Sequence, residues 1–251
     1  MTSAAPSINA SRRAAPRPGR DWGRALRALG RLFANREDTA QVFEIMRALN
    51  GSAGQRAYLR LLAIPEGGRI AYEHVELAPK LMDRAWLATL PAGSVGAAYA
   101  EFTAREAISA EGLAEESRKG LAEGEIDRAH PYAWFGRRTR DAHDIWHVLT
   151  GYGRDSLGEV CLVAFSYQQT HGLGWRLIAA GGYWKARGKA GRPYRAAVRE
   201  AHRRGRASAW LPGEDYERLL AEPLDAARRR LGLTPPAAYE AIPPAARSPD
   251  V

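Results

Sequence analysis

Two histidines four residues apart, His143 and His147, are the side chains in this sequence best placed to do chemistry. At about 100° per residue a helix carries them on one face, about 40° apart, so both imidazoles can meet one ion. Asp144, about 60° round the helix from His147, can reach the same ion or orient one of its ligands. Glu159 follows a tight Gly151-Tyr152-Gly153-Arg154 turn and falls in the first full turn of the next helix. Helices joined by so short a loop are neighbours, which brings Glu159 opposite the histidine pair.

Two neutral imidazoles with carboxylate oxygens suit zinc, iron, manganese or cobalt far better than calcium. Two histidines and one carboxylate also leave coordination positions open, as a catalytic metal needs and a structural one does not. Zinc proteases carry glutamate after the first histidine as general base; Asp144 here is one methylene shorter, which disfavours that chemistry. A plainer reading gives His143 to the core and Glu159 to the favourable end of a helix dipole.

The elements that must position these groups read as helices. Pro131 is a good first-turn residue, and one helix is predicted from there to Thr150, stopped by Gly151. Asp155 caps the next, which runs to about Gln169 and stops at Gly172. Upstream, Asp38 or Thr39 caps a helix bearing Val42, Phe43, Met46 and Leu49, with another across Ala57–Leu62. Residues 65–93 show no sustained period, and Ser94 caps Val95–Glu106, where Gly96 permits close packing. A polar loop with Gly112, Gly120 and Gly124 leads to Pro131. Further helices are expected at 174–188, 193–205, 213–221 and 223–231. No alternating strand pattern appears, so the class is all-α: a single-domain helical bundle with the metal site between two neighbouring helices.

The run Arg140-Asp141-Ala142-His143-Asp144-Ile145-Trp146-His147 through Gly151-Tyr152-Gly153-Arg154-Asp155-Ser156-Leu157-Gly158-Glu159 resembles the signature of the fourth Coq protein family of ubiquinone (coenzyme Q) biosynthesis. Its hallmark is His-Asp-x-x-His, eleven residues, then Glu, and the spacing here matches without a gap. Asp38-Thr39 with Val42-Phe43, and Gly93–Tyr99, extend the similarity upstream. Ala201–Arg206 and Trp210-Leu211 through Leu231-Gly232 resemble the bacterial branch. The resemblance implies one divalent metal, Zn2+ or Fe2+, on His143, Asp144, His147 and Glu159, which would then be both ligands and catalytic residues. It further implies oxidative decarboxylation of a polyprenyl hydroxybenzoate, the ring carboxyl giving way to hydroxyl. With iron, His143, His147 and Glu159 would resemble a facial triad. The alternative it implies is a non-enzymatic, lipid-binding scaffold that organises other ubiquinone-biosynthesis enzymes. Trp134, Trp146 and Trp175 can line an apolar tunnel for a prenyl lipid or simply fill the core.

Composition bounds the rest. At 251 residues, 45% hydrophobic and 26% charged, the chain can bury one sizeable core. No stretch approaches the roughly 18 consecutive apolar residues of a membrane-spanning helix. The single cysteine, Cys161, lies in an apolar run and reads as a buried, inert thiol. A net charge of +9 suits an anionic partner. The basic run Lys185, Arg187, Lys189, Arg192, Arg195, Arg199, Arg203, Arg204 and Arg206 has no base-reading motif beside it, so an anionic membrane surface is expected and nucleic acid is not. Trp22, Leu26, Leu29, Leu32 and Phe33 form the apolar side of a basic amphipathic helix suited to a membrane interface or to the core. Residues 1–20, Arg-rich and acid-free with three prolines, read as a disordered tail rather than a transit peptide. Residues 21–232 read as the helical domain, and 233–251, with five prolines, as a loose tail. The expected location is a bacterial cytoplasm with peripheral membrane contact, or the matrix side of the mitochondrial inner membrane in a eukaryote. Association into a homo-oligomer is left open.

Overall fold

A computed structural model describes residues 19–35, 38–106, 112, 131–186 and 191–248. Residues 1–18 of the tail expected at 1–20 and the Gly120–Gly124 loop lie outside the described residues, as do Arg187 and Lys189 of the basic run. Among the described residues the chain is helical, with no strand and one isolated bridge between Ser94 and Pro223. In chain order the helices are α1 (Trp22–Ala34), α2 (Ala40–Leu49), α3 (Ala53–Leu62), α4 (Gly67–Glu73), α5 (Leu77–Met82), α6 (Arg84–Leu87) and α7 (Val95–Arg105). Then come α8 (Pro131–Asp141), α9 (His143–Thr150), α10 (Ser156–Thr170), α11 (Leu173–Lys185), α12 (Gly191–Ala207), α13 (Tyr216–Leu219), α14 (Leu224–Arg230) and α15 (Ala237–Glu240).

The main core gathers α7, α9, α10 and α12 with the segments around α13 to α15. Helix α10 is central because it buries nearly all round: Leu157, Cys161, Leu162, Ala164 and Phe165 are all inaccessible or nearly so. A second cluster joins α1, α2 and α11 to the Val163 side of α10. A third, built on Leu61, Ile70, Trp134 and Phe135, joins α3, α4 and α8. Trp134 and Trp146 are core residues rather than tunnel walls, their indole N–H groups donating to the Val75 carbonyl and the Tyr216 hydroxyl. Trp175 packs at the edge of the second cluster. Burial pushes the Cys161 thiol up, in line with an inert cysteine.

Several expected boundaries move. The long helix from Pro131 is two, broken at Ala142, where ψ flattens to −7°. The two halves answer to different neighbours: α8 lies on α3 and α5, whereas α9 lies on α7 and α14. Helix α10 ends on His171 in the left-handed region (φ 52°), not on Gly172. Gly172 serves a close approach instead, since a Cβ there would sit 2.7 Å from Asn50 Oδ1. The stretch at 213–221 holds only the short α13, after a 3-10 turn over Leu211–Gly213. On α1, Ala25, Ala28 and Leu32 are buried while Trp22 and Leu26 stay 49% and 55% exposed, so the expected apolar face is only partly spent on the core.

Residues 233–248 of the segment expected to be a loose tail pack down. Tyr239 is buried and Leu233 and Ile242 nearly so, because prolines there set short turns and leave the apolar residues between them facing the core.

Candidate metal centre

Helix α9 ends where the sequence places its stop. Gly151 takes φ +78°, and its N–H closes the last turn on the His147 carbonyl. The remaining C-terminal carbonyls go to two arginines: Arg228 donates to Val148 and Leu149 (2.8 and 3.1 Å), and Arg204 to Thr150 (2.8 Å). Positive charge at a helix C-terminus is favourable, and here it also leaves no carbonyl of that turn unsatisfied. Buried Arg204 is therefore part of the helix end and not of an exposed basic surface.

Across the turn, Asp155 caps α10, its Oδ1 accepting the Gly158 N–H at 2.9 Å. Gly158 is required by close approach: a Cβ there would lie 2.0 Å from the Gly153 carbonyl oxygen. With no side chain in the way, the chain doubles back and sets the start of α10 against the end of α9.

The result gathers the predicted residues. Ligand atoms of His143, Asp144 and His147 all lie within 4.8 Å of one another. His143 Nδ1 and Asp144 Oδ1 are 3.2 Å apart, and the two imidazoles meet edge to face with centroids 4.8 Å apart. Glu159 stands outside this trio at its rim, with Oε2 3.6 Å from His147 Nε2 and Oε1 3.4 Å from Arg154 Nε. The side chains of His143 and Glu159 are 21% and 34% exposed, so the site opens on that edge, while Asp144 and His147 are buried.

His147 is the most constrained of the four. Its Nδ1 is 3.0 Å from the Tyr152 carbonyl, which only accepts, so Nδ1 carries the proton and Nε2 presents its lone pair to the site. That Nε2 is buried and has no hydrogen-bond partner. Phe102 of α7 stacks on the ring at 5.4 Å. Such an orphaned, oriented imidazole nitrogen beside a second imidazole and a carboxylate fits a divalent cation, since burial without a partner otherwise costs free energy.

Electrostatics agree. Burial alone would lower the His147 pKa, but the charges of Glu159 and Asp144 outweigh it and hold the group above its ordinary 6.5. Burial would raise Glu159, and His147, His143 and Arg154 pull it below its ordinary 4.5. The site without metal is thus a cluster in which His147 is readily protonated.

Sequence reasoning missed four contributors. Phe102 packs His147, and the Tyr152 carbonyl fixes its tautomer. Tyr99, buried near Asp144 and Asp141, is pushed up by burial and by both carboxylates, so it stays a protonated phenol. Asp141 is buried with Oδ2 unpartnered, its Oδ1 accepting from Arg140 at 2.7 Å, and burial raises its carboxyl. None carries a sequence signal of its own: Tyr99 and Phe102 read as a packing face, and the role of Tyr152 resides in its backbone.

Fold and site define an all-helical protein whose candidate metal centre is a His–Asp–His trio at the end of one helix, with a glutamate facing it from the next. Residues 28–237 match the family described as Coenzyme Q (ubiquinone) biosynthesis protein Coq4, and the chain belongs to that family. Similar proteins include the mitochondrial ubiquinone biosynthesis protein coq4 of Sclerotinia sclerotiorum, 32% identical over 44% of this chain and 36% of the fungal one. The mitochondrial homologue from Rattus norvegicus is 29% identical over 68% of this chain and 62% of its own length. The matches thus span about a third to three-fifths of these relatives. The fold is shared with a crystal structure of a candidate ubiquinone biosynthesis protein from Nostoc punctiforme, at a TM-score of 0.64 and 22% identity over 86% of this chain and 99% of that one.

Proposed function

We propose that this chain is a metal-dependent oxidative decarboxylase of a polyprenyl hydroxybenzoate, replacing the ring carboxyl by hydroxyl within ubiquinone biosynthesis. The observation that carries the reading is the buried, unpartnered Nε2 of His147, oriented by Tyr152 and set beside His143 and Asp144. A divalent metal, Fe2+ or Zn2+, held by His143, Asp144, His147 and Glu159 would supply positive charge for the substrate carboxylate and, as iron, a redox couple for dioxygen chemistry. Over the whole reaction one oxygen atom enters at the ring carbon and the carboxyl leaves as carbon dioxide. The second oxygen leaves as water, with two electrons and two protons from a reductant.

The chain's own residues divide the remaining work. The open edge at His143 and Glu159 admits the aromatic head group, while Phe102 closes the opposite side of His147. Tyr99, buried beside Asp144, stays protonated, and Asp144 serves either as a ligand or, when it is not one, as the carboxylate that accepts the phenol proton. Ionising a phenol para to the carboxyl-bearing carbon makes that carbon electron-rich. Exposed Trp22 and Leu26 on α1, and Trp184 on α11 at 72% exposure, suit contact with an anionic membrane from which a prenyl lipid is drawn. Among the described residues no helix is long and apolar enough to cross a membrane.

A second reading is favoured by one feature. Glu159 lies on α10 and the trio on α9, so a bound metal would tie two helices together, as it would in a lipid-binding scaffold for other ubiquinone-biosynthesis enzymes. Turnover of a polyprenyl hydroxybenzoate under oxygen with a two-electron reductant supplied, by protein loaded with Fe2+ or Zn2+, decides between them. Catalysis predicts loss of product with His143→Ala and Glu159→Ala. Undiminished conversion by both variants would sink the catalytic assignment.

A further inference from the structure

The segment after α14 closes over the turn that builds the metal centre. Pro236 lies against Gly151, whose Cβ position is 3.4 Å from the proline ring. The Tyr239 hydroxyl donates to Asp155 Oδ2 and accepts the Gly153 N–H at 3.0 Å. Its ring meets Tyr152 edge to face at 5.4 Å. The Leu157 N–H donates to the Arg247 carbonyl at 3.0 Å, and the Ser156 N–H to Ser248 Oγ at 3.1 Å. The segment is anchored independently, through the Ala238 N–H on Glu200 at 2.7 Å, the Leu233 N–H on the Arg228 carbonyl at 2.9 Å and the Thr234 carbonyl on Arg204.

Two of the contacted residues set a ligand. Tyr152 supplies the carbonyl that fixes His147, and Asp155 caps the helix that carries Glu159. Tyr239 bonds both sides of the turn, with Gly153 following Tyr152 and Asp155 preceding α10. From this we infer that Tyr239 is a positioning residue for the metal centre, and that residues 233–248 form a strap holding the His147 and Glu159 sides at one separation. The inference rests on the reading that these residues hold a metal. A tyrosine is suited to the task because one hydroxyl both donates and accepts, so it can fix a carboxylate and an N–H at once.

The test is the affinity of the full chain for Co2+, measured by visible absorption in competition with a chelator. Tyr239→Phe keeps the ring packing and removes both hydrogen bonds. It is expected to raise the Co2+ dissociation constant about tenfold, within the range found when partners of metal ligands are lost. Trp210→Phe removes a hydrogen bond of 2.8 Å to the Gln169 carbonyl, with no bond to the turn, and serves as the control for general loss of stability. It is expected to leave the dissociation constant within twofold of wild type, whatever its effect on thermal unfolding. Equal weakening by the two variants, or wild-type affinity in Tyr239→Phe, would overturn the positioning role. Absence of Co2+ binding by the wild-type chain would remove the metal reading itself, and the inference with it.

Discussion

At the scale of single residues the account turns on protons competing with a metal. The pair His147–Glu159 raises the histidine above 6.5 and lowers the carboxylate below 4.5. In the metal-free protein the raised histidine contributes stability while protonated, and this is lost as pH rises through its folded pKa. The lowered carboxylate contributes stability above its ordinary pKa, lost as pH falls through the folded value. The pair therefore stabilises metal-free protein most between about 4.5 and 6.5. Metal affinity runs the other way and grows with pH, because the proton on Nε2 must leave first. Thermal unfolding with and without Zn2+ across this range is expected to show stabilisation by metal that widens toward alkaline pH; a pH-independent gap would contradict it. Glu159→Gln is expected to lower the titration midpoint of metal-free His147, read by imidazole NMR. It should also weaken metal binding at alkaline pH by about 10- to 100-fold. Spacing put the two histidines on one helix face with Asp144 beside them, and it was the family motif that named the four residues as a ligand set. The rim position of Glu159, shared with Arg154, was not, because side-chain reach across a turn depends on how the turn closes.

At the scale of elements, two helices and a five-residue link make the site, and the link tolerates little. Gly158→Ala places a methyl against the Gly153 carbonyl, at a distance where backbone must move. A destabilisation of about 1–3 kcal/mol is expected from such overpacking, with loss of metal binding in the folded fraction. Asp155→Ala removes the cap of α10 and is expected to cost about 1 kcal/mol. Urea unfolding combined with metal titration separates the two effects; a Gly158→Ala protein with wild-type stability and affinity would refute the close-approach argument. Caps announce themselves in sequence, which is why Ser94, Asp155 and Gly151 stand where the pattern put them. The break at Ala142 does not, since no glycine or proline marks it and it arises from α8 and α9 packing on different neighbours. Likewise His171 takes a left-handed position that a glycine one residue later seemed to claim.

At the scale of the whole molecule, helical class and family were legible because periodicity and one long motif both survive without tertiary context. Pro235, Pro236, Pro243 and Pro244 misled for a physical reason: they exclude long helices but not burial, and Leu233, Tyr239 and Ile242 are apolar enough to pack. The basic run misled in part, because charge patterning cannot tell an exposed arginine from Arg204, which is spent on the end of α9. Trp22, Leu26 and Trp184 remain on the surface, and replacing all three with serine is expected to reduce sedimentation with anionic vesicles severalfold without changing the helical signal. Unchanged sedimentation would remove the membrane from the account. The most direct test of the central claim is metal content per chain after purification without chelator and saturation with Zn2+ or Fe2+, for wild type beside His143→Ala/His147→Gln. One tightly held metal in the wild type and none in the double variant is the predicted result, whereas equal content in both would show that His143, Asp144 and His147 are not the metal centre.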